Sequence, residues 1–134
     1  MKLLLDTHIL LWFLQKNILL SDNARDLILN TENRVFFSVV SVWEVSVKHT
    51  AHPNKMLLNA ARLLTLCSES GFETLPLLDK HLLSLDTLQR PADAPPHKDP
   101  FDRILIAQAK AEEMTFLTHD KMLPYYNEPC VRLV

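Results

Sequence analysis

The sequence predicts an α/β protein built around a parallel sheet. Short apolar runs rich in β-forming residues alternate with longer stretches of helical periodicity, as in strand–helix–strand units. Of 134 residues, 48% are hydrophobic and 22% are charged, so we expect a single globular domain over residues 1–134. The only glycine, Gly71, cannot supply the glycine-rich loops that bind nucleotide phosphates. Any phosphate chemistry must therefore use another device.

Five strands are predicted from the apolar runs, at residues 2–6, 35–39, 72–77, 114–118 and 130–133. Helices are predicted near residues 8–15, 22–31, 42–51, 55–69, 79–87, 101–113 and 119–125. Gly71 follows the helix near 55–69, in the position where glycine commonly ends a helix. The segment 89–100 carries four of the eight prolines and is predicted to be the one long loop.

Charge and cysteine content exclude several classes of protein. The net charge of −2 argues against binding nucleic acid by bulk charge. Cys67 and Cys130 lack metal-ligand spacing and are expected to be reduced and structural. The apolar start MKLLLDTHILLWFL is interrupted by Asp6 and His8 and has no cleavage site, and no run approaches the ~20 apolar residues of a membrane span. We therefore expect a cytoplasmic protein without a membrane partner.

Four acidic residues fall at or near the predicted start of a helix: Asp6, Glu44, Asp102 and Asp120. Each position alone is explained by capping, since a carboxylate at a helix N-terminus contributes about 1 kcal/mol. In HKDPFDR, Asp99 fits the N-cap, Pro100 the first helical position and Asp102 the third. Ser41 and Glu44 have the spacing of a capping box.

Taken together, the four acids indicate more than capping. In a parallel α/β sheet, strands end and helices begin at the same edge, so these acids converge if the first strand is central. Carboxylates about 4 Å apart repel by roughly 4 kcal/mol at a dielectric near 20, more than a cap contributes. Such a cluster requires protons or a divalent cation, and oxygen-only ligands favour Mg²⁺ or Mn²⁺. These ions support phosphoryl chemistry.

The motifs LLLDTHILLW, SVVSVWEVSVK, HKDPFDRILIAQA and FLTHD, in this order and spacing, resemble those of PIN-domain ribonucleases, and among them VapC-like toxins of type II toxin–antitoxin pairs. The resemblance covers essentially the whole chain. It implies a PIN-like three-layer α/β/α fold whose five-stranded parallel sheet has the order 3-2-1-4-5. That order makes the first strand central, as the convergence of the acids requires.

The resemblance also implies the activity: a Mg²⁺- or Mn²⁺-dependent endoribonuclease that leaves a 5′-phosphate and a 3′-hydroxyl. Matching the motifs residue by residue makes four acids both catalytic and metal-binding: Asp6, Glu44, Asp102 and Asp120. Asp99 is an added acid that acts as a cap or auxiliary ligand. Thr7 and Ser41 are candidate auxiliary residues, although both are equally explained as capping hydroxyls.

Four basic residues near the motifs are candidate RNA contacts: Lys48, Lys98, Arg103 and Lys121. His97 and His119 flank the acids, but an all-oxygen site does not need them, and His8 is expected to be a local hydrogen-bonding residue. Asp79 and Asp86 follow the third strand, at the sheet margin in the implied order, and we predict that neither binds metal. Trp12 and Trp43 are expected in the core.

The implied partners are an RNA substrate and an antitoxin, with the chain forming a homodimer or a hetero-oligomer with that antitoxin. Exposed apolar residues on the first two helices would form a groove for a partner helix. Two alternatives remain at this point. One is a phosphoacceptor receiver-like module, which has the same sheet order and would use Asp79 with Lys121. The other is a catalytically silent PIN-like scaffold.

Overall fold

The computed structural model describes residues 1–134 and contains one five-stranded parallel sheet. The strands are β1 (Lys2–Leu5), β2 (Arg34–Ser38), β3 (Glu73–Leu75), β4 (Thr115–Thr118) and β5 (Val131–Leu133). Their order is β3-β2-β1-β4-β5, and every neighbouring pair is parallel. The predicted fold and strand order are therefore confirmed, with β1 in the centre of the sheet.

Six α-helices connect and cover the strands: α1 (Thr7–Leu14), α2 (Asp22–Leu29), α3 (Val39–Ala51), α4 (Ala60–Glu69), α5 (Asp79–Leu85) and α6 (Pro100–Glu112). A 3₁₀ helix, Leu123–Tyr126, lies between β4 and β5. None of the helices combines the length and apolar character needed to cross a membrane.

Alternation along β1 explains the three layers. Leu3 and Leu5 belong to the hydrophobic cluster on one side of the sheet, whereas Leu4 belongs to the cluster on the other side. All three leucines are fully buried, and burying a side chain of this size contributes about 2 kcal/mol. The first cluster includes residues of α1, α2 and α4, and the second includes residues of α6 and the 3₁₀ helix. The central strand β1 therefore has apolar side chains on both faces.

The end of α4 agrees with the prediction for Gly71. This glycine has φ +77°, a left-handed conformation that favours glycine. The Gly71 N–H donates to the Ser68 carbonyl at 3.0 Å, and the Phe72 N–H donates to the Cys67 carbonyl at 3.1 Å, which together form a Schellman motif. The helix begins later than predicted, at Ala60, because the Asn59 side chain caps it by accepting from the Arg62 N–H at 2.8 Å.

The start of α3 differs from the prediction. The helix begins at Val39, and the N-cap is Ser38, whose hydroxyl accepts from the Val40 N–H at 3.0 Å. Because β2 leads directly into the helix, Ser41 and Glu44 lie inside it, and the predicted capping box is wrong. Their side chains are instead buried against α1 and are free to make tertiary contacts.

Two other predictions need correction. The helix expected near 119–125 is only a turn followed by the 3₁₀ helix, and Asn127, at φ 54°, ends it in a left-handed conformation. Trp43 is not in the core: 52% of it is exposed, because it lies on the outer face of α3 and packs edge-on against Phe101 with ring centres 4.8 Å apart. Trp12 is partly buried and packs against the first cluster.

Candidate metal centre

The two central strands bring Asp6 and Asp120 to one edge of the sheet. The Asp6 N–H donates to the Leu117 carbonyl of β4 at 2.9 Å. The hydroxyl of Thr118 then joins the two acids: it donates to Asp6 Oδ2 at 2.6 Å and accepts from the Asp120 N–H at 3.0 Å. Thr118 was not among the residues predicted from the sequence, although it stands at the end of a predicted strand, two residues before Asp120.

Asp6 is a buried carboxyl group with an unused oxygen. It stands at the N-cap position of α1, but its side chain makes no capping hydrogen bond. Only 2% of the residue is exposed, and Oδ1 has no hydrogen-bond partner. Burial raises the pKa of Asp6, and the charge of Glu44 adds to this, while the hydrogen bond from Thr118 opposes it. An unsatisfied buried carboxylate oxygen is costly, and a divalent cation fits there.

Asp102 is surrounded by the other acids. It is the third residue of α6, after Pro100, and Asp99 caps the helix by accepting from the N–H groups of Phe101 at 2.9 Å and Asp102 at 3.3 Å. The predicted local structure of HKDPFDR is thus confirmed. Burial raises the pKa of Asp102 to about 8, and four negative charges add to the effect, those of Asp6, Asp99, Glu44 and Asp120. Asp102 therefore lies within electrostatic reach of all four of these acids.

His97 is also directed at this cluster. Its Nε2 lies 3.2 Å from Asp102 Oδ2, and its Nδ1 lies 2.8 Å from the hydroxyl of Tyr126. One potential ligand atom from each of His97, Asp102 and Asp120 lies within 4.8 Å of the other two. Burial lowers the pKa of the His97 imidazole, while the charges of Asp120 and Asp99 partly offset this. Asp6 and Glu44 are not part of this three-residue group.

Glu44 is buried and has partners for both oxygens. Oε1 accepts from the Thr7 hydroxyl at 2.8 Å, and Oε2 forms an ion pair with Lys48, one helical turn later. Because the Thr7 hydroxyl donates its proton to Glu44, it accepts a hydrogen bond from the Ser41 hydroxyl, 2.8 Å away. Thr7 and Ser41 therefore orient Glu44 and do not cap a helix.

Lys48 lies close to the acidic cluster. Partial burial lowers the pKa of Lys48, but the hydrogen bond and charge of Glu44 and the charges of Asp99 and Asp102 together outweigh it, so the pKa lies above its usual value. Lys98 and Lys121 are exposed, and Arg103 is half-buried with its guanidinium 6.0 Å from the ring centre of Tyr126. These three cations form no salt bridge with a carboxylate.

A shallow cavity of about 250 Å³ opens beside the acids and is lined by Asp6, His8, Trp12, His119 and Asp120. His119 Nδ1 lies 3.0 Å from the carbonyl oxygen of Val134, and its ring packs edge-on against Trp12 at 5.4 Å. The cavity gives one side of the acidic cluster access to solvent.

The two acids predicted not to bind metal, Asp79 and Asp86, lie away from the cluster. Asp79 begins α5, after the edge strand β3, and Asp86 follows the end of that helix. Both are exposed and neither belongs to the group around Asp102. That neither binds metal stays a prediction.

The protein is of the α/β/α class, with a parallel sheet in the order 3-2-1-4-5. Buried carboxyl groups lie where its central strands end and form an acidic crevice. The chain belongs to the PIN domain family, whose sequence profile matches residues 3–128. The family expected from the motifs is thereby confirmed. The receiver-like alternative is disfavoured, because the acceptor that it requires, Asp79, lies outside the crevice.

Two solved structures are similar to this one over its full length. One chain of the crystal structure of VapBC2 from Rickettsia felis, bound to a DNA fragment from their promoter, matches with a TM-score of 0.68 and 19% identity, covering 100% of this chain and 98% of that chain. One chain of DNA-bound VapBC from Salmonella typhimurium matches with a TM-score of 0.66 and 17% identity, covering 100% and 97%. At this identity the likeness is one of fold. No protein with a curated function matches significantly in sequence.

Proposed function

We propose that this PIN-domain protein is a Mg²⁺- or Mn²⁺-dependent endoribonuclease that acts as the toxin of a toxin–antitoxin pair. The observation that carries the proposal is the buried Asp6 carboxyl, which has one unpartnered oxygen and whose charge helps to raise the pKa of Asp102 to about 8. A cluster of this kind is unfavourable without a cation and favourable with one.

The residues that would hold the metal are Asp6, Glu44, Asp102 and Asp120. A divalent ion bound there would lower the pKa of a bound water and neutralise charge on the RNA phosphate. The other residues keep these carboxyl groups in place. Thr118 fixes Asp6 relative to β4, and Thr7 fixes Glu44 relative to α1. Since Lys48 already pairs with Glu44 Oε2, we expect Glu44 to contribute least of the four to metal affinity.

Charge supports an RNA substrate. Apart from the four acids, the rest of the chain carries a formal net charge of +2, and a divalent ion would offset two of the four carboxylate charges. Three basic side chains near the crevice form no salt bridge with a carboxylate: Lys98, Arg103 and Lys121. A fourth, Lys48, lies beside the acids. These four residues are the proposed phosphate contacts.

An antitoxin partner is supported by the fold shared with chains of two VapBC complexes. A groove of about 460 Å³ between α1, α2 and α4 has apolar walls, including Phe13, Leu14 and Leu66, and charged rims, including Arg25 and Glu69. Such a groove suits an amphipathic helix. We propose that the chain forms either a homodimer or a hetero-oligomer with this antitoxin.

The experiment is inducible expression in a bacterial host, with growth measured and new 5′-phosphate ends in total RNA mapped by sequencing. Wild-type protein is expected to arrest growth and generate recurrent ends. Asp6→Asn should abolish both, whereas Asp79→Asn, the matched acid at the sheet margin, should retain both. Cleavage retained by a folded Asp6→Asn protein, or no new ends with the wild type, contradicts the proposal. The second result would favour a catalytically silent scaffold.

A further inference from the structure

His97 is held in an orientation that suits metal binding. The Tyr126 hydroxyl contacts Nδ1 at 2.8 Å, and the two rings meet edge-on, at 87°, with centres 5.6 Å apart. Tyr126 is buried, and the His97 side chain is only 7% exposed. Histidine ligands commonly have their second ring nitrogen fixed by such a hydrogen bond, which determines the direction of the first. Here the fixed direction points Nε2 towards Asp102.

The spacing of the ligand atoms agrees with a single ion. Ligands about 2.1 Å from an octahedral cation lie about 3 Å apart when adjacent and about 4.2 Å apart when opposite. The contact between His97 Nε2 and Asp102 Oδ2 is 3.2 Å, and Asp120 completes a set within 4.8 Å. Small side-chain shifts would therefore bring all three groups to one ion. The unpartnered Oδ1 of Asp6 is independent evidence that this crevice accepts a cation.

A nitrogen ligand alters which ion the crevice prefers. Carboxylate and water oxygens suit Mg²⁺ and Mn²⁺, whereas imidazole binds first-row transition metals well and Mg²⁺ poorly. We propose that His97 Nε2 is a direct ligand of the ion held by Asp102 and Asp120, and that it makes the site selective for Mn²⁺ over Mg²⁺. This inference rests on the metal site of the proposed function and adds a nitrogen ligand to the carboxylates expected from the sequence.

The same contacts allow a simpler role, in which a shared proton joins His97 to Asp102 and the imidazole only positions that carboxyl. The two roles differ in their effect on the two ions. A positioning residue affects Mn²⁺ and Mg²⁺ affinity alike, whereas a nitrogen ligand affects Mn²⁺ chiefly. Only direct ligation gives magnetic coupling between Mn²⁺ and a ring nitrogen.

The test uses the full chain with Mn²⁺ alone and Mg²⁺ alone. Pulsed electron paramagnetic resonance of the Mn²⁺-bound protein should detect one directly coordinated ¹⁴N, which His97→Gln removes. By calorimetry, His97→Gln should weaken Mn²⁺ binding by more than the roughly 10- to 100-fold that loss of an outer-shell partner costs, and Mg²⁺ binding by less than about threefold. His119→Gln is the matched control, because His119 lines the neighbouring cavity and contacts the Val134 carbonyl, and it should alter neither signal.

Each remaining outcome contradicts the inference in a recognisable way. Mn²⁺ binding without ¹⁴N coupling, or equal losses for both ions in His97→Gln, overturns direct ligation but leaves the metal site of the proposed function intact. If the wild type binds neither ion, both proposals fall. Tyr126→Phe provides a second variant that keeps the imidazole: it should retain the ¹⁴N coupling and lower Mn²⁺ affinity less than His97→Gln does.

Discussion

The two ends of α6 carry acids with nearly equal exposure and opposite electrostatics. The side chain of Asp102, in the first turn, is 13% exposed, and that of Glu112, the last residue, is 16% exposed. Burial and neighbouring acids raise the pKa of Asp102 to about 8, whereas the hydrogen bond from Lys80, 2.6 Å away, holds the pKa of Glu112 below its usual value. The helix dipole favours the reverse, because it stabilises negative charge at the N-terminus.

This contrast separates an acid with a structural role from one that we propose binds a cation. Glu112 has a cation of its own, Lys80, and is stable as an ion without any added group. Asp102 is surrounded by acids, and its only contact with a basic group is with the imidazole of His97. Burial alone therefore does not mark the site. The feature that distinguishes the site is that Asp102 has no lysine or arginine in a salt bridge with it, whereas Glu112 has Lys80.

The largest expected difference between the two ends is in RNA cleavage. Asp102→Asn should lower the rate by roughly 10³-fold, because it removes a ligand of an ion worth several kcal/mol of transition-state stabilisation. Glu112→Gln should change the rate less than about twofold. The measurement is the frequency of new 5′-phosphate ends in total RNA at matched protein levels. Similar losses in both variants would mean that the contrast has no functional meaning.

The second difference is in the pH dependence of stability of the metal-free protein. Because the pKa of Asp102 is raised from 3.8 to about 8, the folded protein keeps a proton that the unfolded chain loses. The free energy of unfolding contributed by this group therefore falls as pH rises from about 4 to about 8. Asp102→Asn cannot ionise, so it should unfold at a higher temperature than the wild type at pH 8, with little difference near pH 4.

Glu112 should respond in the opposite direction. Its pKa is lowered in the folded state, so its contribution to stability is present above the unfolded pKa near 4.5 and is lost as pH falls through the lower folded value. Glu112→Gln should cost about 1 kcal/mol at pH 7, with the loss disappearing in acid. Thermal unfolding in chelator from pH 3 to pH 8 compares both variants. If the difference in unfolding temperature from the wild type changed with pH in the same direction for both variants, the opposite pKa shifts of Asp102 and Glu112 would be wrong.

An effect similar in size to that at Glu112 is expected at Asp99, which caps the helix turn that carries Asp102. Asp99→Ala should lower the free energy of unfolding by about 1 kcal/mol, because the N–H groups of Phe101 and Asp102 lose their acceptor. Asp99→Asn keeps a capping oxygen and should weaken metal binding less than Asp102→Asn does. Equal losses of metal affinity by calorimetry would make Asp99 a full ligand.

Local signals predicted local structure well. The N-cap at Asp99, the proline at the first helical position and the glycine after α4 each depend on neighbours a few residues away, and each is confirmed. The capping box at Ser41 and Glu44 failed because Ser38, three residues earlier, is also a good N-cap, and it stands where β2 ends. Sequence spacing could not choose between two such serines.

Contacts between distant residues were beyond the reach of the sequence. His97 and Tyr126 are 29 residues apart, and Asp6 and Thr118 are 112 apart, so no pattern indicated either hydrogen bond. The strand order that brings them together came from the resemblance to PIN domains, and not from hydrophobic periodicity. The exposure of Trp43 was missed for a related reason, since which face of α3 meets the sheet depends on where β2 ends.

The crevice around Asp102 should bind a divalent cation, and titration calorimetry of the metal-free protein with Mn²⁺ at pH 7.5 measures this binding. We expect saturable binding to the wild type, accompanied by proton release as Asp102 ionises, with no detectable binding to Asp102→Asn and unchanged binding to Glu112→Gln. Absence of binding to the wild type, or equal binding to wild type and Asp102→Asn, would contradict it.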